Sequence, residues 1–169
     1  MTLLVTDAGE KADVFTPVED IADLSLASGP VLVPLTVIDQ AIEDRRNTPL
    51  GLSVSNDTPV CALRSYFEKV ELISIAFPSF SDGRGLSLAK RIRREGFTGT
   101  LRAAGPLIAD QFAEALACGF DEVLLPDAMA ARQPLPQWME AKEIVHGQYQ
   151  SGYGEGESIL QKRLKARAG

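Results

Sequence analysis

The residues best suited to chemistry fall in one stretch, Phe77-Pro-Ser-Phe-Ser-Asp-Gly-Arg-Gly-Leu-Ser87, between a strongly apolar run and a helix-like pattern. Asp82 can cap the coming helix through its backbone N–H groups, and Gly83 and Gly85 permit unusual backbone angles and close approach. A helix N-terminus beside Arg84 suits a carboxylate, sulfate or phosphate, because the dipole and a bidentate guanidinium act on the same anion. A structural alternative pairs Arg84 with Asp110 or Asp121 and stitches two loops together. Asp82 and Asp110 are the catalytic candidates, as a carboxylate pair for acid–base work. The ligand-binding candidates are Ser81, Asp82, Gly83, Arg84, Gly85, Arg102 and Gln111. The glycine spacing matches neither G-x-G-x-x-G nor G-x-x-x-x-G-K-[ST], so no nucleotide motif accompanies the loop.

Positioning such a loop requires a scaffold, and from Gly29 onward the chain alternates strand and helix patterns. Pro30–Val33, Leu50–Val54, Leu72–Phe77, Leu101–Ala104 and Glu122–Leu125 read as strands. Between them lie helical stripes: Ile38, Ala41 and Ile42, ending near Arg46; Val60, Leu63 and Phe67 after Asp57-Thr-Pro59; Gly85, Leu88, Ala89 and Ile92; and Ala109, Phe112, Ala113 and Leu116. The basic run Lys90, Arg91, Arg93 and Arg94 reads as a solvated helix end matched to the dipole. Each helix lets the chain cross over to a parallel neighbour. The fold class is therefore α/β: a parallel sheet of about five strands with flanking helices, either open and three-layered or a partial barrel. In such a sheet the loops after Phe77, Ala104 and Leu125 share one edge, where ligands usually bind. Arg102 lies near that edge, with Asp82 or Asp110 as its expected partner.

The ends of the chain are less regular. Leu3–Val5 and Asp13–Phe15 could pair as a hairpin across Asp7–Glu10, and Thr16-Pro-Val-Glu19 resembles a capping box before a helix carrying Ile21, Ala22 and Leu24. Pro126 to Pro136 reads as an ordered connection, followed by a helix from Gln137 to Val145 that buries Trp138, Ala141 and Val145. Residues 1–150 are expected to form a single α/β domain, with 1–29 as a hairpin-and-helix extension. Residues 151–169 are expected to be a flexible or partner-docking tail, since Ser151–Gly156 is glycine-rich.

At 169 residues, 45% of them hydrophobic and 24% charged, the chain can bury a core without disulfides or metal. Its net charge of -6 argues against a nucleic-acid surface. Neither a secretory signal nor a membrane-spanning run is visible, so a cytoplasmic location is expected. Cys61 and Cys118 read as two buried reduced thiols, and the single histidine, His146, as a solvated helix-end residue. Zinc, cysteine-ligated iron–sulfur, haem-attachment and Ser-His-Asp patterns all lack residues or spacing, so no metal is expected and no motif specifies a cofactor.

The ordered set Phe77-Pro-x-Phe-x-Asp-Gly-Arg-Gly-x-Ser87, Gly96-Phe-x-Gly, Leu101-Arg-Ala, Asp110-Gln111 and Cys118-Gly-Phe-Asp121 resembles the bacterial domain of unknown function 934 family, over roughly Val31 to Leu125. The resemblance implies a sulfur-assimilation setting: family genes commonly lie beside those for sulfite reductase and phosphoadenylylsulfate reductase, and members are often labelled oxidoreductases. On that basis the chain is expected to be an accessory protein of assimilatory sulfite reduction and cysteine biosynthesis, binding sulfite reductase or its electron donor. The alternative is a small oxyanion-binding enzyme or sensor built on Asp82-Gly83-Arg84-Gly85.

Overall fold

The computed structural model describes residues 2–44 and 47–144. It opens with β1 (Leu3–Thr6) and β2 (Gly9–Lys11), paired antiparallel. The hairpin closes earlier than expected, because Thr6 Oγ1 bonds Gly9 O at 2.9 Å and Gly9 adopts a positive φ of 124°. Asp13–Phe15 is therefore not its second strand. Thr16–Pro17 forms β3 rather than a helix cap, consistent with proline's tolerance at a sheet edge. Helix α1 (Ile21–Leu26) starts at Asp20 instead, whose Oδ1 accepts the Asp23 N–H at 2.8 Å.

The apolar runs then become β4 (Val31–Pro34), β5 (Leu50–Ser55), β6 (Leu72–Ala76), β7 (Thr100–Ala104) and β8 (Glu122–Leu125). The connections hold α2 (Ile38–Asp44), α3 (Arg84–Arg94) and α4 (Phe112–Ala117), followed by α5 (Asp127–Arg132) and α6 (Leu135–Ile144). Two expectations need correction. After Pro59 the chain makes two 3₁₀ turns, Val60–Ala62 and Arg64–Tyr66, instead of an α-helix; only Leu63 of the expected stripe is fully buried, too little to favour a longer amphipathic helix. The Pro126–Pro136 connection contains α5, which Pro126 precedes in an extended conformation. Helix α6 buries Trp138 and Ala141 as expected. Arg46, Val145, His146 and the 151–169 tail lie outside the described residues.

Among the described residues the sheet has eight strands in the order β2-β1-β8-β7-β6-β5-β4-β3, and β3 through β8 are parallel. Each crossover from β4 to β8 moves one strand in the same direction, so crossovers of the usual hand put their helices on one face. That face carries Val31, Val33, Leu52, Val54, Ile73, Ile75, Leu101, Ala103 and Val123, packed against Ile38, Leu63, Leu88, Ile92, Phe112 and Trp138. The arrangement is the partial barrel, not the open three-layer sheet.

The curl follows from geometry. β2 and β3 lie at opposite edges, yet only Ala12–Phe15 separate them. Eight flat strands would span about 34 Å edge to edge, whereas the chain from Lys11 to Thr16 reaches about 17 Å at full extension. The sheet must therefore bend into roughly a half-barrel, with residues 12–15 strapped across its open side. On the concave face, register aligns Ser53, Ser74, Arg102, Glu122 and Thr6 in one row. Arg102 is 1% exposed and donates from Nε to Glu122 Oε1 at 2.8 Å and from both terminal nitrogens to the strap's Asp13 at 2.9 Å. Lys11 Nζ completes the chain of charges on Glu122 Oε2 at 3.0 Å. Phe15 lies over the Arg102 guanidinium at 5.9 Å, in space that the absent side chain of Gly51 leaves open.

Candidate functional site

Phe77 follows β6 and tucks its ring under the start of α3, edge-on to Phe120 at 5.8 Å. Two glycines make this possible. A Cβ on Gly85 would stand 2.4 Å from the Phe77 ring, and one on Gly105, at φ +142°, would stand 2.1 Å from the Phe77 carbonyl oxygen. Gly85 and Gly105 thus serve close packing between β6, α3 and β7.

Beyond Phe77 the loop is held by its own polar groups. Asp82 N donates to Ser79 O at 3.2 Å, Ser81 N to Ser79 Oγ at 3.3 Å, and the two serine hydroxyls share a 2.9 Å bond. From the neighbouring β7–α4 connection, Gln111 Nε2 donates to Phe80 O at 2.6 Å. The Phe80 ring is left 52% exposed at the loop tip.

Arg84, the first residue of α3, turns back on the loop. Its Nε donates to Asp82 Oδ1 at 3.0 Å and its Nη2 to Oδ2 at 2.7 Å, while its backbone N–H reaches Oδ1 at 3.2 Å. Arg84 thus pairs within its own loop and not with Asp110 or Asp121. The Arg84 hydrogen bonds, with help from the Asn56 side chain and the Arg84 backbone N–H, hold the Asp82 carboxyl well below the usual carboxylate range. A general base works best near the operating pH, so Asp82 in this state is a weak proton acceptor. Asp57 is also lowered, first by the Ser55 hydroxyl and more weakly by Arg84.

Ser81, Asp82, Gly83, Arg84, Gly85 and Gln111 thus gather at the C-terminal rim. Asp110 sits one residue from Gln111 and lines a separate groove of about 410 Å³ with Glu140 and Gln137. Arg102 is not at the rim: its partners are Asp13 and Glu122, not Asp82 or Asp110, because its side chain points into the concave face one row below. A larger groove, of about 1210 Å³, opens at the opposite edge among Glu68, Lys69, Glu71 and Thr98, with Arg64 paired to Glu95 on its wall.

Sequence reasoning missed Asn56 and Asp57. Asn56 is 7% exposed, its Nδ2 has no well-formed hydrogen bond among the described residues, and its side chain helps to lower the Asp82 carboxyl. The signal was present in the polar run Ser55-Asn-Asp-Thr58, which leaves β5 at the same edge. Two other expectations change. Cys61 is exposed, and only Cys118 is buried, where burial raises its thiol pKa. Arg93 is not a solvated helix end: it donates to Gly119 O, Phe97 O and Gly99 O and pairs with Asp121 at 2.6 Å.

Among the described residues no group of three or more His, Cys, Asp or Glu side chains is arranged to hold a metal ion, and no helix is long and apolar enough to cross a membrane. Fold and rim together define a small α/β half-barrel crowned at its C-terminal edge by one self-paired polar loop. The family model for bacterial proteins of unknown function, DUF934, matches residues 51–160, and the chain belongs to that family. A comparison with curated proteins finds no match.

Proposed function

We propose that the chain is a non-catalytic accessory protein of assimilatory sulfite reduction that docks on sulfite reductase or its electron donor through the C-terminal rim. The observation that carries this reading is Phe80: a large aromatic ring, half exposed, on a loop clamped by Gln111 and by its own serines. A pre-ordered exposed aromatic is the kind of residue that anchors protein interfaces, because little conformational freedom remains to be lost on binding. The Asp82–Arg84 pair adds support, since each charge already has its partner in the free protein. The pathway comes from the setting that family membership implies. Co-purification from cells grown on sulfate as the sole sulfur source tests it; sulfite reductase or its reductant is enriched with the wild type, and enrichment of neither removes the reading.

One observation favours a second reading, a small oxyanion site at the same loop. Asn56 Nδ2 is a buried donor with no well-formed hydrogen bond among the described residues, and its side chain acts on Asp82 beside the start of α3. Sulfite or sulfate that displaced the Asp82 carboxylate would meet Asn56, Arg84 and the helix N-terminus together. Calorimetry with sulfite, sulfate and phosphoadenylylsulfate, repeated on Arg84→Ala, decides it. Absence of heat with the wild type ends this reading.

A further inference from the structure

We infer that the docking surface has two parts and that its occupant is a protein segment carrying an apolar pocket beside a lysine or arginine side chain. Phe80 fills the pocket, and the cation enters the groove between Asp110 and Glu140. The inference deepens the docking reading and rests on it.

The two parts are joined through adjacent residues. Gln111 holds the Phe80 carbonyl, while Asp110 forms a wall of the groove. The groove has about 410 Å³ of room, with Ile108 and Ala141 supplying apolar surface and Asp110 and Glu140 supplying charge. Such a lining matches a long basic side chain, whose methylenes lie on apolar surface while the head meets carboxylates. Neither Asp110 nor Glu140 makes an ion pair among the described residues. The groove is also firm. Gln133, at its back, accepts the Ala109 N–H at 2.7 Å and donates to Leu107 O at 3.3 Å, and Trp138 on the adjoining helix is fully buried with its Nε1 bonded to Gln133 O. An anionic small molecule would be repelled here; a cationic protein side chain is attracted and brings the apolar surface that Phe80 needs.

The test replaces Phe80 with a benzophenone-bearing phenylalanine in the full chain, in growing cells, with the same replacement at Glu68 on the opposite edge as control. Circular dichroism checks folding, which substitution at an exposed tip leaves intact. The expected result is a crosslink at position 80 at least tenfold above that at position 68. It maps to a partner peptide containing Lys or Arg and falls at least tenfold when Asp110→Lys and Glu140→Lys are added. A crosslink no stronger than the control, or one indifferent to the two charge reversals, overturns the inference. If a reversal-sensitive crosslink leads to a protein other than sulfite reductase or its electron donor, the two-part surface stands and the sulfite-reduction reading falls.

Discussion

Arg102 and Asp13 meet through two parallel 2.9 Å hydrogen bonds that fasten the strap to the central row of the half-barrel. Removing Asp13 leaves a buried guanidinium held by Glu122 alone. Breaking a fully buried pair typically costs about 3–5 kcal/mol; with Asp13 part-exposed and Glu122 still in place, Asp13→Ala is expected to cost about 2 kcal/mol, and Asp13→Asn about half of that. Urea denaturation checks this, and an unchanged midpoint would mean that the strap is not held by this pair.

The loop glycines should separate by their surroundings. Gly105→Ala meets a backbone oxygen at positive φ and is expected to cost about 3 kcal/mol or more. Gly85→Ala meets the Phe77 ring, which can shift, and is expected to cost about 1–3 kcal/mol. Gly83→Ala meets nothing within 4 Å and should stay within about 0.5 kcal/mol of the wild type. Thermal or denaturant unfolding of the three variants gives the order directly.

Asp82 is held low in the folded state, so any stability it contributes is present above the unfolded carboxyl value, about 3.9, and fades as pH falls toward the lower folded value. Arg84 is well exposed and Asp82 only partly buried, so solvent screens the pair and the effect on global stability is small. The titration itself is the sharper readout. Carboxyl-carbon NMR should place the Asp82 midpoint below that of an ordinary aspartate, and Arg84→Ala should raise it. A midpoint unmoved by the substitution would refute the pairing in solution.

The cysteines should differ in reactivity. Exposed Cys61 is expected to react with a thiol reagent in the native protein, and Cys118, buried and with its thiol pKa raised, only after denaturation. Two native-state reactive thiols, counted by absorbance, would contradict the burial of Cys118.

Much of the scaffold could be read from the sequence because burial there is periodic. Gly85, Leu88, Ala89 and Ile92 repeat at helical spacing and are all buried on α3, and the apolar runs became β4 through β8. Local pattern could not reveal partners distant in sequence. β1 lacks any local hint that it pairs with β8, and Arg102 offered no sign that its carboxylates would come from Asp13 and Glu122. Residues 12–15 carry no periodicity at all, because their conformation is set by the two sheet edges they join. At the rim, Asp82 and Arg84 stood out by type, but their mutual pairing depends on a backward turn of the Arg84 side chain that spacing alone does not specify.

The strap and the strand it follows also set an order of assembly. β1 leaves the ribosome well before its sheet neighbour β8. Until Leu125 has emerged, β1 has no partner on that side, and the polar row centred on Arg102 lacks Glu122. Long-range pairing of this kind slows folding and exposes strand edges in the interim. Synthesis of β8 is thus the moment at which β1 gains its second neighbour and the two halves of the sheet are joined; a ribosome stalled before β8 would present an aggregation-prone intermediate to the cell's chaperones.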